Sequence, residues 1–220
     1  MTDVSKPRLR IASPSASTPV RVAILVVVGV WLNVILLPPS ATAANENPPP
    51  AETVVRQMID SIRKLRTTED KTSRIKLISS ISNSLALESL SQQALGAEWS
   101  KLGSAERDQF LHLIRELLEK LAYPKASEFF ADLDVQYGQE QPQGARRIVP
   151  TTVKRSEGGA VSITYVLKRT RRQLQVVDIN LDGQSLAQSV TGQIQAVLRQ
   201  SSYESLIAQM KARLKQQPYS

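Results

Sequence analysis

The apolar residues of this chain change their spacing twice, and that change is what most restricts the fold. Val55, Met58, Ile59, Ile62 and Leu65 recur at steps of three and four, and the pattern persists to about residue 130. Val149, Thr151, Val153, then Val161, Ile163, Tyr165 and Leu167, recur at steps of two. From Leu186 onward the helical step returns. A period near 3.6 puts one apolar stripe on a helix, and a period of two puts one apolar face on a strand. Each needs a cover. Helices, a meander, then helices again describe an α+β domain: helices packed on one face of a curved antiparallel sheet.

A second helix is expected over Ile75, Leu77, Ile78 and Ile81, and a third over residues 88–95, with Gly96 as its stop. Ser104 is the expected N-cap of the clearest helix, with Glu106 and Asp108 in its first turn. Phe110, Leu113, Leu117 and Leu121 run down one side, widened by Leu111, Ile114 and Leu118, so this helix is covered from more than one direction. Pro124 is expected to end or kink it near residues 121–123, with a further helical piece carrying Phe129 and Phe130. Glu157-Gly158-Gly159 signals a turn, three or four strands are expected, and Asp182-Gly183 should end the sheet. Two helices follow, one over residues 186–199 and one begun by Ser201 and Glu204 as a capping box.

The N-terminus reads differently. Lys6, Arg8, Arg10 and Arg21 precede the apolar run 22–37, which is followed by Pro38-Pro39-Ser40 and Ala41-Thr42-Ala43. A basic segment, a short apolar core and a small-x-small site mark a cleavable secretory signal. The run holds about 16 residues against the roughly 20 that cross a bilayer. The expected division is therefore a signal peptide over 1–43, a linker over 44–52 and one domain over 53–217, in an exported, periplasmic protein. A retained N-terminal membrane anchor is the alternative, favoured by the long basic segment. Removing Lys6, Arg8, Arg10, Arg21 and Asp3 from 28 basic and 20 acidic residues leaves 24 and 19, a net of about +5. That is far below the field of a nucleic-acid-binding domain, so no nucleic acid is expected as a partner.

Catalytic chemistry has little to work with. The chain has one histidine, His112, and no cysteine, so zinc centres and His-dependent triads lack their ligands. Gly158-Gly159 leads into a strand rather than a helix and is no phosphate loop. Asp178 interrupts the apolar strand Val176-Val177-Asp178-Ile179 and needs a hydrogen-bond partner if buried. No enzyme, metal or cofactor is expected. Basic residues gather near strand ends: Lys168, Arg169, Arg171 and Arg172, then Arg146 with Arg147 and Lys154 with Arg155. They are either solvated turns or a docking edge for anionic headgroups or an acidic partner.

The stretch Leu174-Gln175-Val176-Val177-Asp178-Ile179-Asn180-Leu181-Asp182-Gly183-Gln184-Ser185-Leu186 resembles the W-x-V-Y-D-V-x-I-E-G-V-S-L region of the MlaC family, periplasmic phospholipid-binding auxiliary components of ABC transport. Gln193 falls where the family's Y-R-x-Q-F segment has its glutamine, and Tyr203-Glu204-Ser205-Leu206-Ile207 matches the start of its last helix. Ala94-Leu95-Gly96-Ala97-Glu98-Trp99 matches A-L-G-x-x-W, followed by Glu106-Arg107, Phe110, Leu117-Leu118 and Tyr123 in family order. Leu174 stands in place of the tryptophan, Val177 and Val190 in place of tyrosines, Thr191 of an arginine and Ile194 of a phenylalanine.

The resemblance implies a cone-like fold of the nuclear transport factor two type, with an apolar cavity between helices and sheet. It implies a monomeric lipid carrier that meets a membrane-bound ABC transporter or MCE-type complex and an outer-membrane partner. Phospholipid is the expected cargo, with a hopanoid-like or sterol-like lipid as runner-up. A protein-binding adaptor with a filled core is the alternative role. The alternation of the strands and the helical stripes name the expected lining: Leu117, Leu121, Val161, Ile163, Tyr165, Leu167, Val177, Ile179, Leu181, Leu186, Val190 and Ile194.

Overall fold

The computed structural model describes residues 50–154, 158–170 and 173–216. The expected signal segment 1–43, most of the expected linker, and Arg155, Glu157, Arg171 and Arg172 lie outside them. The first helix, α1 (Ala51–Lys64), begins two residues ahead of the expected domain start at 53. It is followed by α2 (Lys71–Ser84), α3 (Leu87–Leu95), α4 (Ala97–Lys101) and α5 (Ser104–Leu117). A π-helical turn (Leu118–Ala122) joins α5 to α6 (Tyr123–Phe130). The strands β1 (Asp134–Tyr137), β2 (Gln141–Gln143), β3 (Arg146–Lys154), β4 (Ala160–Thr170), β5 (Gln173–Leu181) and β6 (Gln184–Ser185) come next, then α7 (Leu186–Gln200) and α8 (Tyr203–Lys215). The fold is α+β with an open, curved antiparallel sheet.

Among the described residues the sheet has six strands, where the alternation alone implied three or four. β3 and β4 form its centre, β5 and β6 one side, and β1 and β2 share the other edge of β3. Gln141-Pro142-Gln143 offers no apolar alternation to read, and β1 is too short to show one clearly. Pro150 sits inside β3, where a missing N–H would ordinarily break a ladder. Its carbonyl accepts the Gly138 N–H at 2.8 Å, so its ring faces the gap between the β1 and β2 pairings, where no ladder bond is needed. Asp182-Gly183 does not end the sheet. With φ of 47° and 84° the pair makes a tight turn into β6, and the Asp182 carboxylate accepts the Ser162 N–H at 2.9 Å.

Two helix starts sit one residue from their expected place. Gly103, not Ser104, occupies the N-cap of α5, and the Glu106 carboxylate accepts its N–H at 2.7 Å. Ser202, not Ser201, caps α8 by accepting from Ser205 N–H at 3.3 Å. With that start Tyr203, Leu206, Ile207 and Met210 face inward, and the Tyr203 hydroxyl donates to the Glu106 carbonyl at 2.7 Å. Pro124 does not end the helical rod outright: α5 closes at Leu117 and a π turn carries the chain into α6, so the expected disturbance falls just ahead of the proline. Tyr123 N–H reaches five residues back to the Leu118 carbonyl, and Pro124 sits in the first turn of α6, where its missing N–H costs least.

Apolar burial separates into two cores. The first joins α1, α2 and α6 to the sheet through Val55, Met58, Ile59, Tyr123, Val149, Tyr165 and Val176, among others. The second joins α3, α5, α7 and α8 through Leu95, Phe110, Leu113, Ile194, Tyr203 and Leu206. The helical rod of residues 104–130 runs from the second core, where Ile114 and Leu117 pack, into the first, where Leu118 and Tyr123 pack.

The two halves meet again at β5. Asp178 is half-buried, and one of its carboxylate oxygens accepts the Ile179 N–H at 2.8 Å and the Ala187 N–H at 3.1 Å. This is the partner that an acid inside an apolar strand requires, and it supplies one of the acceptors that the first turn of α7 lacks. Ser185 supplies another through Gln188 N–H at 3.0 Å. Asp178→Ala should cost about 1–2 kcal/mol in urea unfolding, the usual cost of a lost helix cap, and Asp178→Asn should recover most of it.

Candidate functional site

The expected lining residues divide by burial, and the division follows the two cores. Ile163, Tyr165 and Leu167 are buried in the first core, so they serve as its floor. Burial pushes the Tyr165 phenol far above its ordinary range and keeps it neutral. Val161 and Ile179 are half-buried and pack against that core. Ile194 is buried in the second core, with Leu117 half-buried beside it. Leu121, Val177, Leu181, Leu186 and Val190 belong to neither core.

The register of the sheet explains part of this. Leu181 pairs with Ile163 and Ile179 with Tyr165, so these four share a face. Between Asp178 and Val176 the register slips by one, and Leu167 meets Val176 rather than Val177. Val177 is the extra residue of a β-bulge. Val176 is therefore the buried residue, and Val177 leaves the alternation that grouped it with Ile179 and Leu181. The far face is also not uniformly polar, since Val166 is buried there opposite Asp178.

On α7, Leu186, Val190 and Ile194 form a single stripe at four-residue spacing. Leu186 is 44% and Val190 47% exposed, while Ile194 is 8% exposed. The stripe starts in the open and ends in the core. Leu181, which leads into the same helix through β6, is also exposed. Three large apolar residues are thus uncovered within ten positions of the chain, and no polar feature of the local sequence calls for that.

A crevice of about 1100 Å³, open to solvent, lies where the two halves meet at the α2–α3 corner. Its apolar wall is Leu85, Leu87, Leu90 and Val177, and its polar wall includes Arg115, Arg146, Lys168 and Arg169. Of these only Val177, Arg146, Lys168 and Arg169 were marked by the sequence. Leu85, Leu87, Leu90 and Arg115 sit on helix faces and a corner with no motif of their own. The corner is fixed to β5: Ala86 N–H donates to the Val176 carbonyl at 2.9 Å, and the Gln175 amide donates to the carbonyls of Asn83 and Leu85 at 2.8 and 3.1 Å. The α3 N-cap position is Ala86, which has no side-chain acceptor for the first turn of that helix.

His112 is exposed and lies 3.7 Å from Glu116 on the next turn of α5. Among the described residues, no group of three His, Cys, Asp or Glu side chains could hold a metal ion, and no helix is long and apolar enough to cross a membrane.

An open antiparallel sheet, two helical groups with separate cores and a crevice between them define a two-part α+β binding fold. A family model for the MlaC protein matches residues 52–212, well over half of the 220 residues, and the chain belongs to the MlaC family. A phospholipid-binding protein from Ralstonia solanacearum, solved in complex with a phospholipid, superposes with a TM-score of 0.61. It is 20% identical and the match covers 75% of this chain and 94% of that one, which establishes a shared fold. No curated protein matches the sequence.

Burial makes opposite demands on two residues that share apolar character. Ile163 is 3% exposed, so Ile163→Asp should destabilise by several kcal/mol, because the carboxylate is left unpaired in the core. Val190→Asp should stay within roughly 0.5 kcal/mol of the parent. Urea unfolding of both variants against the parent checks the pair.

Proposed function

We propose that this chain is a periplasmic lipid carrier that holds phospholipid acyl chains between its two cores and exchanges them with membrane complexes of an ABC-type transport system. The observation that carries the reading is the uncovered apolar stripe of Leu181, Leu186 and Val190, continuous with the buried Ile194, in a chain of the MlaC family. The phospholipid complex of the Ralstonia solanacearum protein, which shares the fold, supports the choice of cargo. Leu117, Leu121, Val161, Val177 and Ile179 complete the proposed apolar walls, and Ile163, Tyr165, Leu167 and Ile194 back them from within the cores.

The physical case for a carrier is short. Each methylene withdrawn from water is worth about 0.8 kcal/mol, so two acyl chains hold a phospholipid in its bilayer by roughly 20 kcal/mol or more. Crossing an aqueous gap unaided is then very slow, and a protein that moves lipid must present a comparable apolar surface. The sequence supplies no site for nucleotide chemistry, so transfer rests on docking and on differences in affinity between complexes. Export by the basic and apolar segment of residues 1–43, followed by its removal, fits this location. A non-catalytic role fits the scattered carboxylates and the exposed His112.

Native mass spectrometry of protein purified from an expressing cell should show a co-purified lipid, and lipidomic extraction should identify it as phospholipid rather than a polycyclic hopanoid. Protein that is always empty and takes nothing from vesicles would rule the carrier out and favour a protein-binding adaptor. Leu186→Asp and Val190→Asp should each lower the lipid-bound fraction severalfold while the melting temperature stays within a few degrees of the parent. Retention of the full complement of lipid by both variants would remove α7 from the site.

A further inference from the structure

The described residues that line the crevice at the α2–α3 corner carry an excess of positive charge. Among the described residues, Arg115, Arg146, Lys168 and Arg169 line it together with one carboxylate, Glu88, a net of +3. None of the four cations enters an ion pair among the described residues, whereas the neighbouring Arg147 is matched by Glu140 at 3.4 Å. Arg146 and Lys168 stand directly opposite each other in the β3–β4 ladder. Like charges in that position repel at close range and weaken the strand pair. Arg169 follows on the next residue of β4, and Arg115 reaches the same crevice from α5, across the boundary between the cores. Cationic side chains from two separately packed halves therefore converge on one space. Directly beside them, Leu85, Leu87, Leu90 and Val177 give the crevice an apolar wall. The first turn of α3, whose N-cap residue Ala86 has no side-chain acceptor, lines the same crevice and carries Glu88.

We infer that this crevice receives the phosphate of a net-anionic phospholipid headgroup, so that the carrier selects lipid by headgroup charge as well as by its chains. The inference rests on the lipid-carrier reading and adds the headgroup class to it. Every phospholipid has a phosphate, but a zwitterionic headgroup brings its own ammonium, which this crevice repels. A phosphatidylglycerol-type headgroup brings none. The mix of cations and leucines suits the junction of a lipid, where the polar ester region meets the chains, better than it suits a fully hydrated ion.

The test is a competition. The protein is incubated with vesicles containing equal amounts of phosphatidylglycerol and phosphatidylethanolamine with identical acyl chains, then re-isolated, and its bound lipids are quantified by mass spectrometry. The parent should be enriched in phosphatidylglycerol by at least about fivefold, the effect of roughly one unneutralised charge near an anionic group. The triple variant Arg146→Gln, Lys168→Gln, Arg169→Gln should still carry lipid but lose the enrichment. So should Arg115→Gln in part, and it leaves the sheet untouched. A control with Lys64→Gln, Lys125→Gln and Lys211→Gln, of the same net charge but away from the crevice, should keep the enrichment. High salt should reduce the enrichment in the parent. Equal uptake of the two lipids by the parent, or enrichment that survives in the triple variant, would overturn the inference and leave the carrier reading standing. A parent that takes neither lipid would overturn the carrier reading first. Inorganic phosphate that shifts the arginine side-chain signals of the crevice in NMR spectra, in a parent without headgroup preference, would make this a site for free phosphate and overturn the headgroup assignment.

Discussion

Four consecutive residues of β5, Gln175 to Asp178, hold both helical groups to the sheet. Among the described residues the ladder beyond β5 continues as β6, which pairs at Asn180 and Leu181, so residues 173–178 would otherwise present an unpaired edge. An unpaired edge leaves N–H and C=O groups without partners and invites association with other chains. Here the edge is closed by helix ends that have the same need. The Val176 carbonyl accepts the Ala86 N–H, Leu85 bridges to Val176, and the Gln175 amide donates to the carbonyls of Asn83 and Leu85 at the end of α2. On the other side Asp178 takes the Ala187 N–H of α7. The bulge at Val177 lies between these two attachments. A bulge bends its strand and increases local twist, so the strand can serve the α2–α3 corner with one residue and α7 two residues later.

The separation of the cores follows from that attachment. α1 lies along the sheet and is tied to the end of α6 by Arg63, which donates to the carbonyls of Phe130 and Leu133. The second group is joined internally by Tyr203 to α5 and by the Gln195 amide, which donates to the Ala94 carbonyl at 2.8 Å. Each group fills its own interior. Among the described residues, the rod of residues 104–130 passes directly from one to the other as helix, and its hydrogen bonding widens to the π form where it crosses. A π turn shifts the phase of the helical stripe, so Leu117 can pack with the second core while Leu118 packs with the first. Leu121, in the same turn, is left to neither.

Much of the fold was legible because its strongest signals are local. The stripe of α1 from Val55 to Leu65, the stop at Gly96 and the alternation of β4 each appear in the sequence at the period the structure uses. The errors arise where two local choices are nearly equal and a distant contact decides. Ser201 and Ser202 are both adequate caps, and the burial of Tyr203 against α5 selects the second. Ser104 is a better cap by type than Gly103, but Glu106 supplies the acceptor that the glycine lacks. β2 could not be read at all, because its pairing with Ile148, Arg147 and Arg146 is supplied wholly by β3.

The candidate site was legible only as a set of apolar residues, and the reason is general. Periodicity states which residues share a face; it does not state where the cover over that face ends. Leu186, Val190 and Ile194 are indistinguishable by spacing, yet only the last has a core against it. Strand alternation likewise grouped Val177 with Ile179, and one inserted residue separated them. The charged residues suffer from the same limit in reverse. Arg146 and Lys168 are 22 positions apart in the sequence, and only the antiparallel register brings them face to face. A run of apolar residues without cover and a pair of cations with no ion pair among the described residues are both departures from the local consistency that folding favours. In this chain both occur along the boundary between two cores that are each complete, which is where a fold can leave surface unsatisfied without losing the packing that holds it together.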